Sequence, residues 1–73
     1  MFTSRLTKHS KLLVRHARKY LRYRDDLLST QAREELRASV NALGKALHKR
    51  DHTAIKTEAE ALDAKLHQLT PVT

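Results

Sequence analysis

The sequence predicts an all-α protein, a compact antiparallel three-helix bundle with a longer basic first helix, formed by one domain over residues 1–73. Three observations predict this fold class. The chain contains one Gly and one Pro, so few residues interrupt helices. Leu and Ala dominate the apolar residues, and both favour the helical state. Apolar residues also recur three and four positions apart, which gives each predicted helix one apolar side.

The first predicted helix covers residues 4–26. Its apolar side chains, continued by Leu28, fall within one arc of the helix: Leu6, Leu13, Val14, Ala17, Tyr20 and Leu21. The cations fall on the far side and form a continuous stripe, named here the basic face: Lys8, Lys11, Arg15, Arg18, Lys19 and Arg22. Leu12 and Tyr23 lie between the two arcs.

The second predicted helix covers residues 30–49. Ser29 or Thr30 can accept a hydrogen bond from a free amide of the first turn and cap the helix. Its apolar stripe repeats at helical spacing: Leu36, Val40, Leu43 and Leu47. Gly44 lies inside this helix, where it costs about 1 kcal/mol relative to Ala. It either lets a neighbouring helix approach closely or is simply tolerated.

The third predicted helix covers residues 51–69 and has the clearest pattern. Asp51 is a good N-cap, and Pro71 ends the segment because the residue before a proline avoids the α region. Between them runs one apolar stripe: Ile55, Ala59, Leu62, Leu66 and Leu69. The stretch "HKRD" then connects the second and third helices tightly. The predicted shared core comprises Leu13, Ala17, Tyr20, Leu28, Leu36, Val40, Leu43, Leu47, Ile55, Leu62, Leu66 and Leu69.

The charge is distributed unevenly along the chain. Residues 1–24 hold eight Lys and Arg and no acid, whereas residues 25–73 hold seven cations and eight acids. The net charge of +7 therefore arises entirely in the first third. The chain has no Cys, which excludes disulfide and thiolate chemistry, and no apolar run long enough to span a bilayer.

The sequence predicts no catalytic, metal or cofactor site. The five His residues lack the spacing of the HExxH motif, which puts two imidazoles and a base on one helix face. Asp25 and Asp26 are adjacent, so on a helix their side chains diverge by about 100° instead of sharing a cleft. We therefore expect that this chain is not itself an enzyme.

The basic face admits four interpretations. It is a solvated helix surface, a contact for anionic lipid, a contact for nucleic acid phosphates, or a contact for an acidic protein partner. A helix-turn-helix arrangement for reading bases is absent from the pattern. The sequence also leaves open whether the apolar stripes close within one chain or in a homodimer.

Residues 12–69 carry a run of packing and capping residues that resembles a known helical domain. The run includes Leu28, the pairs Ala42-Leu43 and Ala46-Leu47, Asp51 before Ala54-Ile55, and the later leucines Leu62, Leu66 and Leu69. It resembles the C-terminal helical lid of DnaK-type heat-shock chaperones. The resemblance implies a three-helix fold and, as one alternative function, a lid-like protein-interaction module.

A second resemblance involves the stretches "ARKYLRYRDDLL" and "ALDAKLHQLTP". They resemble the N-terminal extension of some bacterial type I signal peptidases, which are membrane-anchored hydrolases. The resemblance implies a cytoplasmic module at the inner face of the membrane, with the catalytic Ser and Lys outside this segment. We therefore expect a non-catalytic N-terminal domain of such a peptidase, with its basic helix on anionic lipid or an acidic partner. The second alternative is a nucleic-acid-binding helical domain.

Overall fold

Three α-helices and one short 3-10 turn form the fold. The structure, a computed structural model, describes residues 5–69 apart from the side chain of Asp25. The elements in chain order are α1 (Arg5–Tyr23), the 3-10 turn (Asp25–Leu27), α2 (Thr30–Lys49) and α3 (His52–Leu69). No strand occurs in this described part, and every pair of helices is in contact. The predicted all-α three-helix bundle is confirmed.

The helices run up, down and up. At one end of the bundle the hydroxyl of Tyr20, late in α1, reaches the carbonyl of Leu69, the last residue of α3. At the other end Leu6 lies beside Ala59, so α1 and α3 run in the same direction. Glu35, early in α2, pairs with Lys65, late in α3. The middle helix is therefore antiparallel to both of its neighbours.

The first helix ends earlier than the sequence predicts. It stops at Tyr23 rather than near residue 26, and α1 has 19 residues against 20 in α2, so the expected longer first helix is wrong for the described residues. The amide of Leu27 bonds the carbonyl of Arg24 at 3.1 Å, which tightens the chain into the 3-10 turn. Asp25 and Asp26 follow the end of α1, and acidic residues at a helix C-terminus oppose the helix dipole, which disfavours a longer helix. The turn also brings Leu28 into the core.

Side-chain caps begin α2 and α3, as the sequence predicts. The Oγ of Ser29 accepts a hydrogen bond from the amide of Ala32 at 3.1 Å. The Oδ1 of Asp51 accepts one from the amide of Ala54 at 3.2 Å. Each bond satisfies an amide of the first turn that has no partner within the helix. Ser29, rather than Thr30, is the cap of α2.

The tight connection between α2 and α3 is also confirmed. Arg50 adopts left-handed backbone angles, φ 57° and ψ 34°, a conformation that usually favours glycine. Its amide bonds the carbonyl of Leu47 at 3.2 Å, and the amide of Asp51 bonds that of Ala46 at 3.3 Å. These bonds close the last turn of α2 and turn the chain back within two residues.

The core lies where the three apolar stripes meet. Eight of the predicted core residues are buried: Leu13, Ala17, Leu28, Leu36, Val40, Leu43, Ile55 and Leu62. The other four pack against this cluster and are partly buried: Tyr20, Leu47, Leu66 and Leu69. Further buried residues that the predicted list omits are Val14, Ala46, Ala59, Ser10 and Ser39. The predicted helix start at Ser4 and the predicted stop at Pro71 fall outside the described residues.

Candidate functional site

All six residues of the basic face lie on the solvent side of α1. Each is exposed: Lys8, Lys11, Arg15, Arg18, Lys19 and Arg22. On the opposite side of the same helix Leu13, Val14 and Ala17 are buried in the core. The amphipathic pattern of α1 therefore separates the cations from the apolar interior, and their contact with an anionic surface stays a prediction.

The basic face carries its positive charge without a paired acid in the part of the chain that the structure describes. Among the side chains that the structure describes, none of its six cations pairs with a carboxylate. Ion pairs lie elsewhere: Lys65 Nζ is 3.7 Å from Glu35 Oε2, and His67 Nδ1 is 3.5 Å from Asp63 Oδ1. The guanidinium of Arg22 lies 5.7 Å from the ring centre of Tyr23, a cation–π contact that leaves its charge in place.

An open groove runs between α1 and α2 along the basic face. Its volume is about 510 Å³. Five residues of the basic face line it from α1: Lys11, Arg15, Arg18, Lys19 and Arg22. Val14, Gly44 and Leu47 add an uncharged portion to the lining, and Tyr23 stands at the end of the groove beside Arg22. The groove thus combines a cationic side with an apolar one.

The cationic surface continues onto α2. A second depression of about 410 Å³ shares Arg18 and Gly44 with the first and adds four polar residues of α2: Asn41, Lys45, His48 and Lys49. We name the two depressions together the Gly44 groove. Both rims of this groove carry cations, and no Asp or Glu lines it among the described residues.

The groove between α1 and α3 is different in charge. It mixes His9 and Lys56 with Glu60 and Asp63. Solvated helix pairs ordinarily carry both positive and negative side chains. The absence of acids from the Gly44 groove is therefore a feature of one side of the bundle.

The predicted site did not include the α2 cations of the Gly44 groove. Taken alone, α2 carries charges of both signs, and only its packing beside α1 joins its cations to the basic face.

Gly44 has no packing function that the structure reveals. A Cβ atom at this position would have no atom of another helix within 4 Å. The interpretation in which glycine permits close helix approach is therefore wrong. Glycine in a helix interior costs about 1 kcal/mol relative to alanine. The chain accepts this cost at one of the two positions shared by both depressions of the groove, the other being Arg18.

Apolar side chains are exposed at both ends of the basic face. Leu12 is 49% exposed and lies in a shallow depression with Lys8, Lys11 and Arg15. At the other end Tyr23 is 69% exposed and Leu27 is 64% exposed. Large apolar side chains set among cations suit a boundary between water and hydrocarbon better than bulk water.

The described residues show no constellation for other chemistry. They contain no group of three or more His, Asp or Glu residues placed to hold a metal ion. In the same part of the chain, no helix has both the length and the apolar character needed to cross a bilayer. Asp26 is exposed beside Leu27, and the side chain of its neighbour Asp25 lies outside the description.

Comparison with known proteins adds no relative. No family model matches this sequence, and neither a curated protein nor a solved structure is significantly similar to it. The Gly44 groove and the basic face are therefore the features of this chain that bear on its function.

Proposed function

We propose that this chain is a non-catalytic helical module that docks on anionic lipid head groups through its basic face. The observation that supports the proposal is the acid-free cationic surface across α1 and α2, whose α1 cations have no carboxylate partner among the described side chains. A cation close to an anionic leaflet contributes about 1 kcal/mol. Because these cations have no ion pair to break among the described side chains, this attraction is available for binding.

The exposed apolar residues favour lipid over nucleic acid as the partner. A membrane interface accepts an exposed leucine into the acyl boundary while the flanking cations remain at the level of the phosphates. Leu12, with Lys8, Lys11 and Arg15 around it, has this arrangement. A phosphate backbone attracts the same cations but offers no apolar phase for Leu12.

The resemblance to signal peptidase extensions supplies a cellular context for the proposal. In that context the module lies on the cytoplasmic side of a membrane-anchored peptidase, whose hydrolytic residues belong to another part of the protein. The cytoplasmic leaflet carries the anionic lipids. The module would then hold the front end of the peptidase close to the membrane surface without taking part in peptide hydrolysis.

Vesicle co-sedimentation tests the docking function. We expect the chain to sediment with vesicles of phosphatidylcholine mixed with phosphatidylglycerol, and not with phosphatidylcholine alone. Added salt should weaken the binding, because it screens exposed charges. The double substitution Arg15→Glu plus Arg18→Glu should abolish sedimentation.

A matched control separates the basic face from net charge. Arg37→Glu plus Lys56→Glu changes the net charge equally at two exposed positions that do not line the Gly44 groove. This control should retain most of the binding, with folding of both variants checked by circular dichroism. Binding that does not depend on anionic lipid, or an equal loss of binding in both variants, would refute the proposal.

A mobility-shift assay with duplex DNA tests the alternative. A salt-dependent shift, in a chain that does not bind anionic vesicles, would indicate nucleic acid as the partner.

A further inference from the structure

We infer that the Gly44 groove is the binding site for the phosphate of one lipid head group. Gly44 has no side chain and therefore leaves this site open. This inference rests on the proposed function and deepens it. A basic helix lying flat on a membrane needs only the cations of α1. The structure also places cations of α2 around a shared depression, which a flat contact with α1 does not require.

The two rims allow one anion to be approached from both helices. Arg18 lines both depressions and lies at their junction with Gly44. A guanidinium presents its donors in a planar fork that matches two phosphate oxygens. Lys45 and Lys49 supply positive charge from the α2 rim. Cations from two helices around one depression suit a compact anion such as a phosphate better than a diffuse negative surface.

The position of residue 44 in the lining of the groove gives a reason for the glycine there. With no atom of another helix within 4 Å of its missing Cβ, any side chain at this position would extend into the groove. Alanine would favour the helix, and the packing does not exclude it. Gly44 and Arg18 are the two residues common to both depressions. A glycine at one of them is accounted for if the groove must stay free of a side chain there to admit a ligand.

The apolar part of the lining distinguishes a lipid phosphate from a free phosphate ion. Val14 and Leu47 lie in the same groove as the cations. The glycerol and first acyl carbons that follow a lipid phosphate can contact these side chains, whereas inorganic phosphate has no apolar portion to place there. We therefore assign the phosphodiester of an anionic phospholipid as the ligand of this binding site.

The single glycine of the chain provides a direct probe of this site. Protein labelled with ¹⁵N-glycine gives one backbone amide signal, that of Gly44. We expect this signal to shift in a saturable manner with short-chain phosphatidylglycerol below its micelle concentration. Inorganic phosphate should produce a weaker shift, and short-chain phosphatidylcholine should produce none. An unchanged signal with phosphatidylglycerol, while the protein still binds anionic vesicles, would overturn the inference.

Substitution of the floor residue gives an independent test. Gly44→Gln fills the groove without changing charge, and we expect its affinity for phosphatidylglycerol vesicles to fall about tenfold, the loss of roughly one charge-assisted contact. Ala38→Gln is the control, because residue 38 is exposed on the same helix and does not line the groove. Its affinity should match that of the unmodified chain.

The outcomes distinguish this inference from the function on which it rests. Gly44→Gln could bind vesicles as tightly as Ala38→Gln while Arg15→Glu plus Arg18→Glu abolishes binding. In that case the docking function stands, and the inferred phosphate-binding site is wrong. If the unmodified chain does not bind anionic vesicles, both the docking function and the phosphate-binding site are wrong. Gly44→Gln should not lower the urea midpoint of unfolding, because Gln favours a helix interior over Gly, and an unchanged or higher midpoint shows that a loss of affinity in this variant is not a loss of folding.

Discussion

The hydroxyl of Tyr20 donates a hydrogen bond to the backbone carbonyl of Leu69 at a distance of 3.1 Å, across 49 positions of sequence. The last carbonyls of a helix have no partner within it. Here one of them is satisfied by a side chain of α1 in a partly buried position. The bond therefore joins the C-terminal ends of α1 and α3 and supports their parallel arrangement.

Removal of this hydroxyl tests the contribution of the bond. Tyr20→Phe keeps the ring against the core and should lower the free energy of unfolding by about 0.5–1.5 kcal/mol, the usual net value of a hydrogen bond. Urea denaturation measures the change. Tyr23→Phe is the matched control, because Tyr23 is 69% exposed, and its effect should stay within about 0.5 kcal/mol. Equal stability of the two variants would contradict the role of the bond.

The central leucines should dominate the stability of the bundle. Leu43 and Leu62 are both 0% exposed, and replacing either with Ala should cost about 2–5 kcal/mol through lost burial and the cavity left behind. A small domain has about 5–15 kcal/mol in total. Leu27→Ala, at a position 64% exposed, should change little. Cooperative melting of Leu43→Ala near the temperature of the unmodified chain would disprove this assignment.

Two serines should respond to the same substitution with opposite signs. Ser10 is 0% exposed, and its Oγ has no hydrogen-bond partner among the described residues. Ser10→Ala removes a buried polar group and should raise stability by about 1 kcal/mol. Ser29→Ala removes the N-cap of α2 and should lower stability by about 1 kcal/mol. Chemical denaturation of both variants checks the pair, and destabilisation by Ser10→Ala would point to a partner for its hydroxyl.

A tryptophan probe should report how the basic face meets a membrane. The chain has no Trp, so Leu12→Trp introduces a single indole beside Lys8 and Lys11, and excitation at about 295 nm avoids the two Tyr residues. Its emission should move to shorter wavelength with phosphatidylglycerol vesicles, because the indole enters the apolar boundary. Ala64→Trp, at an exposed position of α3, should not respond. Shifts of equal size at the two positions would indicate that docking does not use the basic face.

Local sequence was sufficient for much of the fold. The caps Ser29 and Asp51 were predictable because each acts on an amide three residues further along the chain. The apolar and basic sides of α1 were predictable because a helix repeats every 3.6 residues whatever it packs against. The stop of α1 at Tyr23 was missed, since it depends on a turn that must also deliver Leu28 to the core.

The sequence by itself determined three helices, Asp51 as the cap of α3, a choice between Ser29 and Thr30 as the cap of α2, and the side of α1 on which its cations lie. All of these follow from interactions between residues close together in the chain. Only the tertiary structure decided that the Oγ of Ser10 has no hydrogen-bond partner among the described residues, that a Cβ atom at position 44 would meet no atom of another helix, and that Lys45 and Lys49 join Arg18 around one groove. Those facts depend on how each helix is placed against its neighbours. Periodicity along one helix gives the side that faces the core, but not which residues of two helices become neighbours.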